Sequence, residues 1–593
     1  MQFAYPRPQL ERPHWLDLNG QWQFLYDSDR RYQVPSDISE WPLTIEVPFP
    51  PESRASGIGD PDFHPVCWYQ RRFRVHDEGG RTLLHFGAVD YSAKVWVNGI
   101  LVATHEGGHT PFSADITCAL KESGEQVVTV QAEDDPADLT KPRGKQDWQR
   151  EPHAMWYPRT TGIWQTVWLE QVGRAYFSRI RWTPHIEGFS IDFESRIEGD
   201  RMDGLTVELV LIHAERVLAR DTYVVVDSEA NRRIALSDPG IDDYRNELLW
   251  SPDHPTLIEA EVRLRRDGKI LDEVKSYTAI RSADVLRDRF MLNGRPYFLR
   301  MVLDQGYWPD TLLSAPSDDA LRRDVELVKQ MGFNSVRKHQ KIENPRYLYW
   351  ADRLGLLVWE EMPSAYRFTD AAIKRTVREW GEAIDRDYSH PCVIVWVPFN
   401  ESWGVPDLTS ARIQRDAVQA LYHLTKTLDP TRPVIGNDGW ESSATDIIGI
   451  HDYDADMDHI RQRYGPETSP EQLLDRRRPG GRILTLDGYP HRGQPIVLSE
   501  CGGIAYNKCR QPGVRETWGY SMVTTEEEYE RRYRELMDVI IPISIFSGFC
   551  YTQFTDTFQE ANGLLCADRT PKLSLAVIRE ATTKRRTYIP GGV

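Results

Sequence analysis

The spacing of apolar and polar residues divides the chain into three textures. From the N-terminus to about residue 172, apolar and polar positions alternate in short runs at 22–26, 68–75, 81–86, 93–97 and 126–131. Period-two alternation marks half-buried strands, and Asn98-Gly99 is the dipeptide that a two-residue hairpin turn requires. Short strands at regular spacing, the last near 164–170, predict a β-sandwich over 1–172. A second alternating pattern at 205–212, 222–226 and 257–264 predicts an immunoglobulin-like sandwich over 173–283, in which nothing points to chemistry.

From residue 284 the pattern becomes one of strand and helix in turn. Helical periodicity is predicted at 317–331, with Ser317 as N-cap and Gly332 as stop, then at 345–354, 370–388 and 410–428. Between and after these stand apolar runs at 297–302, 334–337, 356–361, 393–397, 433–437, 447–450, 495–499 and 548–552. Eight such strands predict a (β/α)8 barrel over 284–593. A doubly wound open sheet is the alternative, and no Gly-rich phosphate loop follows the first strand to support it.

At 593 residues the chain is too long for one core. Its net charge of −17 argues against nucleic acid and anionic membrane as partners, because both reward basic surface. The first residues lack a basic-then-apolar leader, and no apolar run reaches the ~18 residues that span a bilayer. A cytoplasmic location is the expectation. The seven cysteines are scattered without metal-ligand spacing, so reduced thiols and no metal or cofactor are expected. A small-molecule or oligosaccharide substrate is the expected partner, with homo-oligomerisation left open.

In a barrel, active residues lie just beyond the C-terminal ends of the strands. Taken in order, those positions hold Asp304; Arg337, Lys338 and His339; Glu360 and Glu361; Asn400 and Glu401; Asn437, Asp438 and Trp440; His451, Asp452 and Tyr453; Glu500; and Tyr551. Glu401 and Glu500 each end an apolar run. Two carboxylates on nearly opposite barrel strands can break a glycosidic bond, one protonated to release the aglycone and one ionised to attack the anomeric carbon or activate water. Arg337 would hold its neighbour ionised while an apolar wall keeps the other protonated. One aperiodic loop, 141–161, carries Arg143, Lys145, Trp148, Arg150, His153, Trp156, Tyr157 and Arg159. It either covers surface or reaches the pocket of another domain.

Several motifs resemble glycoside hydrolase family 2, the retaining exo-β-glycosidases that include β-galactosidases, β-glucuronidases and β-mannosidases. His390-Pro391 followed by Val-Trp and Asn400-Glu401 is similar to the acid/base signature, and Leu498-Ser-Glu500 to the nucleophile signature. Phe333-Asn-Ser-Val-Arg337, Asp352 to Val358, Gly108 to Phe112, Thr161 to Trp164 and Leu249 to Pro252 extend the resemblance over essentially the whole chain. It implies a jelly-roll, sugar-binding type of first sandwich. It also implies Glu401 as acid/base, Glu500 as nucleophile, Asn400 on the sugar 2-hydroxyl and Tyr453 orienting Glu500, with Arg337, His339, Asp304, Trp440 and Tyr551 as further substrate-binding positions.

The departures from the family pattern bear on the sugar. Lys338-His339-Gln340 replaces the usual Ser-His pair, Asp304-Gln305-Gly306 replaces the polar set after the first strand, and Tyr551 stands for the usual Trp. The Asn-x-Lys motif with which the family's β-glucuronidases grip a carboxylate is here Asn562-Gly-Leu564. A β-galactoside is therefore the favoured substrate and a β-uronide the alternative, with Lys338, Arg159 or Arg569 as its candidate partners. A non-catalytic carbohydrate-binding protein is the reading from another class, and two opposed carboxylates speak against it.

Overall fold

The computed structural model describes residues 4–75, 79–236, 247–474, 481–509 and 516–586. The first sandwich packs a six-stranded sheet on a four-stranded one, closed by strand Val167–Val172. Its Asn98-Gly99 turn has positive φ at both residues, 50° and 84°, and joins strands Ser92–Val97 and Ile100–Glu106. The second unit sets three strands against four around its own apolar core.

The third unit is the parallel barrel. Its strands are β1 (Leu299–Asp304), β2 (Ser335–Lys338), β3 (Leu357–Glu361), β4 (Val393–Val397), β5 (Ile448–Asp452), β6 (Ile496–Gly502) and β7 (Phe546–Thr552), in the order β4-β3-β2-β1-β7-β6-β5. Helices α1 (Asp318–Gln330), α2 (Pro345–Leu354), α3 (Asp370–Asp387), α4 (Arg412–Leu428) and α5 (Glu526–Ile540) belong to the outer layer. Ser317 caps α1 by accepting from the Ala320 amide, and Gly332 follows it at φ 90°.

Seven strands form regular ladders where the sequence predicts eight. The segment 433–438 touches β4 only through isolated bridges, Trp396 to Val434 and Asn400 to Asp438. Pro433 has no N–H to donate, and the segment bends to pair with 444–446, where Gly436 passes too close to the Ala444 carbonyl for any Cβ.

Strand register decides which side chains face the barrel interior. Leu303, Arg337 and Trp359 are aligned across β1, β2 and β3. Asp304, Lys338 and Glu360 form the next rung and therefore point to the opposite, helix-facing side. Val302, aligned with Val336, also pairs with Tyr551, so Tyr551 shares that outward face.

The two sandwiches grip the barrel at different places. Trp250 and Tyr277 of the second unit reach Asp352 on α2, the indole donating to its carbonyl and the phenol to its carboxylate, each at 2.8 Å. His390 Nδ1 and the Cys392 amide complete the Asp352 carboxylate at 2.5 and 2.8 Å. From the first sandwich, Tyr91 and the Gly108 amide donate to Glu379 on α3. The Gly108 and Trp164 motifs are thus docking contacts, with the Trp164 indole donating to the Gly108 carbonyl at 2.7 Å.

One expectation about cysteine is overturned. Cys509 and Cys566 form a disulfide; the other five thiols are free. The bond ties the segment after β6 to the loop after β7, two stretches distant in sequence that the barrel brings side by side.

Candidate active site

The buried run of β4 ends at Phe399, and the backbone then turns through two consecutive non-glycine residues with positive φ, Glu401 at 51° and Ser402 at 56°. L-residues enter this region at a cost of about 1 kcal/mol or more each, so the surroundings must impose it. They do so through hydrogen bonds: the Glu401 amide donates to the Asp438 carbonyl at 2.9 Å, the Ser402 amide to Asn437 Oδ1 at 3.0 Å, and Ser402 Oγ to Glu441 at 2.7 Å. Asn437 therefore shapes the Glu401 turn and does not face the pocket. The bridged segment 433–438 holds this turn from below.

Arg337 is fully buried and is the hub beneath the pocket. Its guanidinium donates to Asn400 Oδ1 at 2.5 Å, to the Ser499 carbonyl and Glu500 Oε1 at 3.0 Å each, and to Glu361 through Nε. Asp438 Oδ2 lies 2.9 Å from the same guanidinium. This fixes Asn400 so that its Nδ2 is buried without a partner among the described residues, an orphan donor at the pocket floor. Tyr453 donates its phenol to Glu500 Oε2 and stacks on Tyr520 at 3.4 Å between centroids, with Thr552 Oγ1 at 3.1 Å.

His451 sits between the two carboxylates. Its Nδ1 lies 2.7 Å from Glu401 Oε1, and its Nε2 lies 3.1 Å from Asp438 Oδ2 and 3.4 Å from Glu500 Oε1. Oxygens of Glu401 and Glu500 and a nitrogen of His451 all lie within 4.8 Å of one another. Burial alone would favour neutral imidazole, yet Glu500, Asp438 and Glu401 outweigh it and push the His451 pKa up to about 10. Arg337 Nη1 lies 3.3 Å from Nε2. With the imidazole charged, that contact joins two donors sharing Asp438 and Glu500, not a hydrogen bond between them. Burial likewise works against ionised Glu401, but the bond to His451 and its charge, with help from Lys145, hold the Glu401 carboxyl at about 2. Gly439 makes room for the imidazole, since a Cβ there would fall 2.3 Å from its Cε1.

His339 donates toward Glu361 across 2.9 Å, and burial together with Lys145 and Arg337 holds it well below the ordinary histidine range, so it is neutral. Trp440 stands with Trp403, Trp156, Trp148 and Tyr366 in an aromatic wall beside Glu401. Trp403 donates its indole to Glu401 Oε2 at 3.2 Å. Two of these five rings, Trp148 and Trp156, come from loop 141–161, which thus reaches the barrel of its own chain.

Two predicted positions are not in the site. Asp304 is paired with Lys338 at 2.7 Å in a buried outward cluster with Glu343. Tyr551 packs edge-on against Tyr533 of α5, 5.2 Å between centroids. Both follow from the register of β1, β2 and β7; strand-end position alone says nothing about facing. The three cations proposed for a uronide are also committed elsewhere: Lys338 to Asp304, Arg159 to Asp134 at 2.9 Å, and Arg569 to Asp324 at 2.9 Å. Reading the strand ends places His451, Asp438 and Glu361 on the barrel rim without a role. Glu560, which accepts from Tyr157 and Asn562, carries no sequence signal beyond its neighbours.

The chain matches glycosyl hydrolases family 2 in three parts: the sugar binding domain at 16–169, the family's middle domain at 175–281 and the TIM barrel domain at 284–586. It is 30% identical over 435 residues to the β-galactosidase of Thermoanaerobacter pseudethanolicus, covering 71% of this chain and 55% of that protein. It is 27% identical over 514 residues to the β-glucuronidase of Canis lupus familiaris, covering 76% and 73%. Among solved structures, a β-galacturonidase from Eisenbergiella tayi bound to glycerol superposes with a TM-score of 0.74 at 20% identity over 100% of both chains. Bifidobacterium dentium β-glucuronidase complexed with coumarin-3-O-glucuronide superposes with a TM-score of 0.77 at 22% identity, covering 98% of this chain and 99% of that one.

Proposed function

Because the chain belongs to glycosyl hydrolase family 2, we propose that it is a retaining exo-β-glycosidase with Glu500 as nucleophile and Glu401 as acid/base. The observation that carries this reading is the approach of the two carboxylates. An oxygen of Glu401 and one of Glu500 lie within 4.8 Å of each other, short of the ~6.5 Å or more that leaves room for an intervening water, as direct attack by one carboxylate requires.

In the first step Glu500 forms a bond to the anomeric carbon as the glycosidic C–O bond breaks and the leaving oxygen takes a proton from Glu401. In the second, Glu401 removes a proton from water, and the water oxygen displaces Glu500. Asn400 Nδ2, which has no partner among the described residues, meets the sugar 2-hydroxyl. Tyr453 and Arg337 hold the Glu500 carboxylate in line.

The site holds Glu401 ionised, so the proton it must give stands on His451 Nδ1, 2.7 Å away. An aglycone that fills the aromatic wall expels water and favours the uncharged pair, neutral imidazole beside protonated Glu401.

Two glycones fit the reading. The leucine at the position after Asn562-Gly speaks for a β-galactoside. A β-uronide is favoured by a different observation, the side chain of Lys145. The mechanism is tested by NMR of the first-formed product from an aryl β-glycoside: β-configured sugar supports double displacement, and α-configured sugar overturns it.

A further inference from the structure

We propose that Lys145, contributed by the first sandwich, grips the carboxylate of a β-linked uronide in the barrel pocket. The inference rests on the glycosidase reading above and names the substrate class for it.

The lysine is held in place by its backbone. The Arg143 and Gly144 amides both donate to the Ser364 carbonyl at 3.1 Å, and the Tyr366 phenol donates to the Gly144 carbonyl at 2.7 Å. Gly144 sits at φ 59°, where a Cβ would meet the Gln340 carbonyl at 2.3 Å. The Tyr157 amide donates to the Lys145 carbonyl at 2.8 Å. The residue is thereby pinned between the loops that follow β2 and β3.

Its ammonium is unusual among the cations. Lys145 is only 7% exposed, and its side chain makes no hydrogen bond or ion pair among the described residues. By contrast Lys141, Arg159, Arg337, Lys338 and Lys572 each hold a carboxylate. An ammonium held in place without a carboxylate of its own is free to take one from a ligand.

The backbone sets Lys145 beside the pocket, between Tyr157, whose phenol donates to Glu560, and Gln340, which follows His339, and its charge reaches Glu401, Glu560 and His339. Neither of those carboxylates forms an ion pair with it, and each is bonded elsewhere. Glu401 accepts from His451 at one oxygen and from the Trp403 indole at the other. Glu560 accepts from Asn562 at one oxygen and from Tyr157 at the other. The missing acceptor therefore belongs to the ligand. A sugar hydroxyl would supply a dipole, whereas a carboxylate would supply a charge-assisted bond and neutralise the ammonium. A uronide carries its carboxylate on C5 of the ring seated beside Glu401 and Glu500. This places the grip on a different element from the Asn-x-Lys position that is Leu564 here, and it explains how the site can do without that lysine.

The test compares nitrophenyl β-D-glucuronide, β-D-galacturonide and β-D-galactoside on wild type, Lys145→Met and Lys145→Arg. Wild type is expected to prefer a uronide. In Lys145→Met, kcat/KM for that uronide is expected to fall at least ~30-fold further than for the galactoside, with partial recovery in Lys145→Arg. Equal losses on all three substrates would make Lys145 a neutraliser of Glu401 and Glu560 and overturn the inference, as would a wild-type preference for the galactoside. Calorimetry with free D-glucuronate, D-galacturonate and D-galactose separates the two readings. Lysine-dependent uronate binding without turnover would remove the glycosidase reading and leave the grip standing; turnover without lysine-dependent uronate binding would do the reverse.

Discussion

The two ends of strand β4 make opposite uses of the same residue types. At its N-terminal end Asp352, His390 and Cys392 form a closed set: both carboxylate oxygens are filled, and Tyr277 and Trp250 of the neighbouring sandwich seal it. At its C-terminal end Asn400 Nδ2 and the Lys145 ammonium have no partners among the described residues, Glu401 and Ser402 are held at positive φ, and a protonated imidazole sits between two carboxylates. A saturated polar cluster stabilises a junction, whereas an unsaturated and strained one is poised for a ligand. The contrast teaches that a buried carboxylate beside a histidine is not a catalytic signature by itself; the unpaired atoms around it are.

The largest expected effect that breaks this contrast comes from Glu500→Gln. Its kcat should fall by on the order of 10⁴-fold or more while the melting temperature barely moves. The mirror experiment is Asp352→Ala, which should lose about 3–5 kcal/mol of stability in chemical denaturation while kcat per folded molecule stays near wild type. If Asp352→Ala instead abolished turnover in a folded protein, the two ends would not be separable. A smaller effect is expected for His451→Gln. Methyl glycosides, which need full protonation, should lose about 10²–10³-fold in kcat, and dinitrophenyl glycosides much less; equal losses on both would remove the proton-holding role.

The same histidine sharpens the comparison through pH. Its pKa rises from an ordinary 6.5 to about 10 on folding. Its contribution to stability is therefore fully present below 6.5 and lost as pH climbs from there through about 10. Glu401 runs the other way: held at about 2 against an ordinary 4.5, it contributes above 4.5 and loses that contribution as pH falls toward 2. Melting curves of wild type and His451→Gln across this range should converge at the alkaline end; a constant gap would contradict the charged imidazole. The smallest expected signal is a thiol count. The denatured protein should titrate five thiols without reductant and seven with it.

Much of this architecture is legible in the sequence because burial and periodicity are local. The run from Val393 to Val397 and the carboxylate beyond it are visible as an apolar stretch ending in polar residues, and Ser317 and Gly332 bracket a helix by cap chemistry alone. The errors have one physical origin each. Asp304 and Tyr551 stand at the right strand ends but on the wrong face, since period-two facing depends on register between strands, which no single strand carries. The segment 433–438 has the composition of a strand, but its proline and its close approach at Gly436 limit it to bridges. The disulfide joins residues separated by 57 positions, a proximity created only by barrel closure. Lys145 is visible as one cation among several in loop 141–161; that its side chain has no partner among the described residues is a tertiary fact.

The loop from the first sandwich also has a consequence for modularity. Its backbone is fastened to Ser364 and Tyr366 and supplies Trp156 and Lys145 to a pocket whose acids come from the barrel. The barrel excised at residue 284 would keep every proton-transfer group yet lose one side of its cup. Recombination that shuffles sandwich and barrel between relatives should therefore yield hybrids whose chemistry survives and whose choice of substrate follows the donor of the sandwich.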